Sequence, residues 1–69
     1  MKPYEMHARH SVRLAWRSMG RAREARLNAN FADTIRISDD HMNYARDMVR
    51  IARGYMHNAV LYRQMNEVL

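Results

Sequence analysis

The sequence has no cysteine, a single proline and only two glycines. Without cysteine, the chain can form neither a disulfide nor the usual thiolate zinc sites. At 69 residues, a monomer buries too small a share of its surface to be comfortably stable without a cross-link or a partner. We therefore predict that the chain associates with a second copy of itself.

Long apolar runs are also missing. The N-terminal residues lack the apolar stretch of a signal peptide, and no segment of the sequence approaches the ~20 apolar residues of a membrane span. We expect a cytoplasmic protein that makes no membrane contact.

The patterns of catalytic and ligand sites are absent too. The sequence offers no nucleophile with its base, no paired-carboxylate cleft, no phosphate-binding glycine loop and no cofactor fingerprint. His7 and His10 are spaced so that both can face a metal, but the only candidates for a third ligand are His57 and Glu67 of the second helix. We expect no enzyme activity, no cofactor, no metal and no small-molecule ligand.

One break divides the chain into two helices. Ser38 is a good N-cap, and Asp39 and Asp40 would then occupy the first turn, where negative charge is favourable. We predict a single domain, residues 1–69, with a helix over about 4–34, a turn over about 35–38 and a helix over about 39–68. Two helices of similar length joined by a short turn predict an antiparallel hairpin.

Small residues recur along the first helix at alternating steps of four and three, as in a heptad pattern that lets two helices approach closely. We call this line the small-residue seam; it begins at Tyr4, its one large member, and continues with Ala8, Ser11, Ala15, Ser18, Ala22, Ala25, Ala29 and Ala32. The second helix has an apolar surface too wide for one neighbour to cover, which predicts a second copy and an all-α four-helix bundle. The residues predicted to form the hairpin or dimer interface are Ala8, Ala15, Ala22, Ala29, Met48, Ile51, Tyr55 and Tyr62.

Positive charge is concentrated in the first half of the chain. The net charge is +5, and residues 1–30 hold seven basic groups against two acidic ones, whereas the remainder holds five of each. Arg9, Arg13, Arg17 and Arg21 follow each other one helical turn apart and form what we call the arginine ladder. The ladder can follow a nucleic-acid backbone, with binding that weakens as salt rises; the alternative is a solvated outer face that keeps the dimer soluble.

Trp16 lies off the seam between Arg13 and Arg17. Tryptophan and arginine are enriched in the hot spots of protein interfaces. We predict that Arg13, Trp16, Arg17 and Arg23 bind a protein partner, although a tryptophan half-buried beneath arginine side chains would give the same pattern.

The arginine-rich, cysteine-free chain, with a small-residue seam from Ala8 to Ala32 and a second helix rich in methionine and tyrosine, resembles phage-encoded anti-activators of bacterial quorum sensing. Such proteins bind a host LuxR-type transcription activator so that it cannot hold DNA, and one is linked to inhibition of a type IV pilus assembly ATPase. The resemblance implies a non-enzymatic inhibitor of a host regulator. The alternative is a nucleic-acid-binding dimer similar in architecture to the plasmid regulator Rop, acting through the arginine ladder.

Overall fold

The computed structural model describes residues 2–68 of the predicted 1–69 domain and contains two helices. Helix α1 spans Glu5–Asn30 and helix α2 spans Ile35–Val68, and the two pack against each other along their lengths. The predicted all-α class and the two-helix hairpin are therefore confirmed.

The turn lies at residues 31–34, four positions earlier than predicted. The side-chain oxygen of Thr34 accepts a hydrogen bond from the Ile37 backbone N–H at 3.2 Å, and the Thr34 carbonyl accepts one from the Ser38 N–H at 3.0 Å. Thr34 is thus the N-cap of α2. The prediction that Ser38 caps this helix is wrong: Ser38 lies inside α2, and Asp39 and Asp40 lie beyond its first turn.

Every predicted seam residue within α1 is buried against α2: Ala8, Ser11, Ala15, Ser18, Ala22, Ala25 and Ala29. The buried residues of helix α2 are seven apart: Ala45, Ala52, Ala59 and Asn66. Seven residues make nearly two turns, so each series stays on one edge of its helix. Met48 and Val49 pack beside the central alanines, and these small side chains let the two helices lie close together.

The folded chain is thin and leaves much surface uncovered. Its radius of gyration is 15.9 Å, against about 11 Å for a compact domain of this length. It exposes 5611 Å², roughly 1,000 Å² more than a compact monomer of this mass. No large side chain among residues 2–68 is fully buried, so the hairpin's core consists chiefly of alanine.

Neither described helix contains a stretch long and apolar enough to pass through a bilayer.

Candidate partner-binding groove

A groove of about 550 Å³ runs between α1 and α2 near the middle of the hairpin. Its floor includes the buried alanines Ala15 and Ala52, one from each helix. The groove exists because the seam brings the two backbones together with side chains too small to fill the space above them. We call it the Trp16 groove; it is lined by Ala15, Trp16, Met19, Gly20, Arg23, Ala52, Arg53 and Met56.

Large apolar side chains form the walls of this groove. Trp16 is 72% exposed, although tryptophan usually loses most of its surface on folding. Met19 and Met56, on opposite helices, are also exposed. Together they make the lining of the groove predominantly apolar.

The groove carries charge of one sign. Arg23 on α1 and Arg53 on α2 line it and are both exposed. None of the described lining residues carries a carboxylate, so the two guanidinium groups have no acidic neighbour within the groove itself. An apolar surface flanked by cations favours a ligand that combines apolar groups with negative charge.

Gly20 is the one lining residue without a side chain. A Cβ atom added to Gly20 would meet nothing within 4 Å, and the same holds for Gly54 on α2. Gly54 does not line the groove. Gly20 therefore widens the groove without being required by the packing of the hairpin.

The structure brings together two of the four predicted partner-binding residues. Trp16 and Arg23 line the groove, whereas Arg13 and Arg17 are exposed but do not line it. Sequence reasoning missed Met19, Arg53 and Met56. A partial signal was present for the two methionines, because Val12 with Met19, and Val49 with Met56, repeat at seven residues and such pairs mark the flanks of a seam. No such repeat marks Arg53.

The arginine ladder does not form a straight row along one side of the hairpin. All four of its arginines are exposed, but each step of four residues advances about 40° around the helix. Arg9 is paired with Glu5 at 3.2 Å, whereas Arg21 lines a second groove. The ladder therefore winds by about 120° across the outer face of α1.

The second groove lies on the other side of the hairpin. A step of four residues rotates about 40° around the helix axis. Met19 lies four residues after Ala15, and Arg21 lies four residues before Ala25, so the two side chains are rotated away from the seam in opposite directions. This groove, of about 370 Å³, contains charges of both signs. We call it the Tyr44 groove; it is lined by Arg21, Glu24, Ala25, Asn28, His41 and Tyr44.

The predicted interface residues divide into two groups. The alanines Ala8, Ala15, Ala22 and Ala29 are buried in the hairpin contact, and Met48, Tyr55 and Tyr62 are half-buried beside it. Ile51 is 43% exposed and is therefore available to a second molecule.

In comparisons with known proteins, no family model, curated protein or solved structure matched the chain.

The open end of the hairpin holds a cluster that the sequence analysis did not single out. Asn66 is 3% exposed, and its side-chain oxygen accepts a hydrogen bond from the Tyr4 N–H at 2.9 Å. The rings of Tyr4 and His7 both lie beside Tyr62, with centroid distances of 6.0 and 5.3 Å. The available signal was that Asn66 continues the seven-residue series of Ala45, Ala52 and Ala59.

Proposed function

We propose that the chain is a non-enzymatic phage-type inhibitor that binds a bacterial host transcription regulator and blocks its DNA binding. The observation that carries the proposal is the exposed Trp16 in an apolar groove flanked by arginines. The resemblance to quorum-sensing anti-activators names the target as a LuxR-type activator and adds a type IV pilus assembly ATPase as a second target. The site of action is then the cytoplasm of the infected cell.

Energetics support binding rather than catalysis as the role of this surface. Interface hot spots are enriched in tryptophan and arginine, and they lose water completely when the partner binds. Covering an exposed tryptophan releases a large apolar area from water. In the Trp16 groove, Met19 and Met56 extend that area, and methionine adapts readily to the shape of a partner.

The proposal includes a homodimer that forms a four-helix bundle. The roughly 1,000 Å² of surface beyond that of a compact monomer exceeds the roughly 800 Å² that each partner contributes to an interface of standard size. A monomeric core made chiefly of alanine is a weak source of stability, because the hydrophobic contribution scales with the apolar area buried. A second copy supplies the missing burial.

We assign the dimer contact to the side of the Tyr44 groove. Tyr44, Ile51 and Met65 are spaced by multiples of seven and lie along one edge of α2, and all three are exposed. The Tyr44 groove contains Arg21 and Glu24, so two copies can meet there with opposite charges in proximity. The Trp16 groove then stays open on both copies.

The test is loss of inhibition when Trp16 is truncated. The wild-type chain, used as bait in a bacterial lysate before and after nuclease treatment, identifies the regulator, and the purified regulator is then titrated for DNA binding. We expect the wild-type chain to abolish DNA retardation at a stoichiometric ratio and Trp16→Ala to weaken capture by about 2 kcal/mol or more, as for interface hot spots. Phe31→Ala is the matched control, since Phe31 is an exposed aromatic in the turn.

If Trp16→Ala captures the regulator as tightly as Phe31→Ala does, the assignment of the groove is wrong. Capture that disappears on nuclease treatment would favour the alternative, direct nucleic-acid binding through Arg9, Arg13, Arg17 and Arg21. That alternative further requires that log affinity fall linearly with log salt. The winding of the ladder around α1 and the pairing of Arg9 with Glu5 make it the second choice.

A further inference from the structure

We infer that the Trp16 groove takes an acidic amphipathic helix of the partner protein, with an apolar ridge seated on the groove floor and carboxylates on its flanks. This inference rests on the proposed function and names the chemistry of the partner at the same site. A groove between two antiparallel helices is the natural seat for a third helix, whose ridge of side chains enters it. The small side chains of Ala15 and Ala52 on the floor, and the missing side chain of Gly20 in the lining, let that ridge approach closely.

The positions of the two arginines define where the partner's carboxylates belong. Arg53 immediately follows the floor residue Ala52 on α2, whereas Arg23 lies eight residues beyond Ala15 on α1, a rise of about 12 Å. The two cations therefore stand on opposite helices and toward opposite ends of the groove. A partner helix with carboxylates about two turns apart, one on each flank of its apolar ridge, complements both cations at once.

Charge decides against a second copy of this chain as the occupant. A two-fold contact through the Trp16 groove would bring Arg23 and Arg53 of one molecule into the same interface as their counterparts. No described lining residue offers a carboxylate to separate them, and like charges at an interface are unfavourable. Nucleic acid is disfavoured as well, because the walls formed by Trp16, Met19 and Met56 are largely apolar, whereas contacts to phosphate require a mainly cationic surface.

Three synthetic peptides that lack tryptophan test the inference directly. The first forms an amphipathic helix with leucines at i, i+3, i+4 and i+7 and glutamates on both flanks; the second has lysines in place of the glutamates; the third is a scrambled form of the first. Trp16 is the single tryptophan of the chain, so its fluorescence reports binding. We expect the glutamate peptide to bind at least about tenfold more tightly than the lysine peptide.

Two sets of variants locate the binding site. Gly20→Leu should weaken binding of the glutamate peptide by about tenfold, because the new side chain occupies the groove, whereas Gly54→Leu, at an equally unobstructed glycine outside the groove, should not change it. The double variant Arg23→Glu with Arg53→Glu should reverse the preference and favour the lysine peptide. Circular dichroism of each variant checks that the helices are retained.

Equal binding of the glutamate and lysine peptides, or no effect of Gly20→Leu, would overturn the inference. So would a change in the mass of the assembly on Gly20→Leu, since the groove would then be occupied by a second copy. These outcomes are separate from the test of the proposed function: a Trp16-dependent capture of the regulator without preference for acidic helices retains that function and rejects the acidic helix. Loss of the Trp16 dependence itself rejects the docking site.

Discussion

Asn66 is the residue on which the open end of the hairpin depends. Its side-chain oxygen accepts the backbone N–H of Tyr4, the residue at the N-cap of α1. The last turns of α2 thereby satisfy one of the amide groups that the start of a helix leaves without a partner. The side-chain nitrogen of Asn66 is buried and has no hydrogen-bond partner among the described residues, so the net stabilisation is smaller than the bond alone would give.

Asn66→Ala removes this link between the two ends of the chain. We expect the free energy of unfolding to fall by about 1 kcal/mol, the usual net contribution of one hydrogen bond. Urea unfolding at fixed protein concentration measures it, and amide hydrogen exchange at Tyr4 should accelerate. Asn58→Ala, at an exposed position of α2, should change stability by less than about 0.5 kcal/mol. Equal or greater stability of Asn66→Ala would mean that the cost of burying the unpaired nitrogen exceeds the value of the bond.

At the scale of the helices, two residues near the turn compete to be the N-cap of α2. Thr34 and Ser38 are both of residue types that cap helices, and the two aspartates that follow Ser38 favour Ser38 as the N-cap. The chain instead begins α2 at Ile35 with Thr34 as its cap. The earlier start adds a turn of helix to α2, and each added residue contributes a backbone hydrogen bond.

Exchanging the two capping residues for alanine tests this placement. Thr34→Ala should lower the free energy of unfolding by about 1 kcal/mol, because the Ile37 N–H loses its acceptor. Ser38→Ala lies within the helix and should be neutral or stabilising by up to about 0.5 kcal/mol, since alanine has the higher helix propensity. Thermal unfolding followed by circular dichroism measures both. If Ser38→Ala is the more costly change, α2 begins where the sequence predicted.

The seam could be predicted from the sequence because its period alone determines which side of α1 is buried. The seam residues between Ala8 and Ala29 recur at heptad spacing, and each of them is buried. The groove could not be predicted in the same way, since it needs residues from both helices at one height, and that height depends on the position of the turn. Trp16 and Arg23 are predicted from residue type and from the position of Trp16 off the seam, whereas placing Arg53 and Met56 beside them requires the register of α2.

For the whole molecule, the two sides of the hairpin differ in what can cover them. Both sides expose apolar residues, but the charged residues that line the Trp16 groove are both cations, whereas the Tyr44 groove has charged residues of both signs. The two grooves therefore differ in charge, although both expose apolar side chains, and this difference in charge can select different partners. In the arrangement we propose, each copy joins its partner through one side and binds the regulator through the other, so that a dimer presents two docking grooves.

Ile51 and Met56 provide a matched pair for testing this division. They lie on α2 at 43% and 44% exposure, Ile51 on the Tyr44 edge and Met56 in the Trp16 groove. Ile51→Glu should place a charge in the dimer contact, reduce the mass in sedimentation equilibrium from twice 8.3 kDa toward the monomer, and lower the melting temperature. Met56→Glu should leave the mass unchanged and abolish capture of the regulator. The melting temperature of the wild-type chain should also rise with protein concentration, because association stabilises the folded state by mass action. A monomeric Met56→Glu together with a dimeric Ile51→Glu would exchange the roles of the two sides.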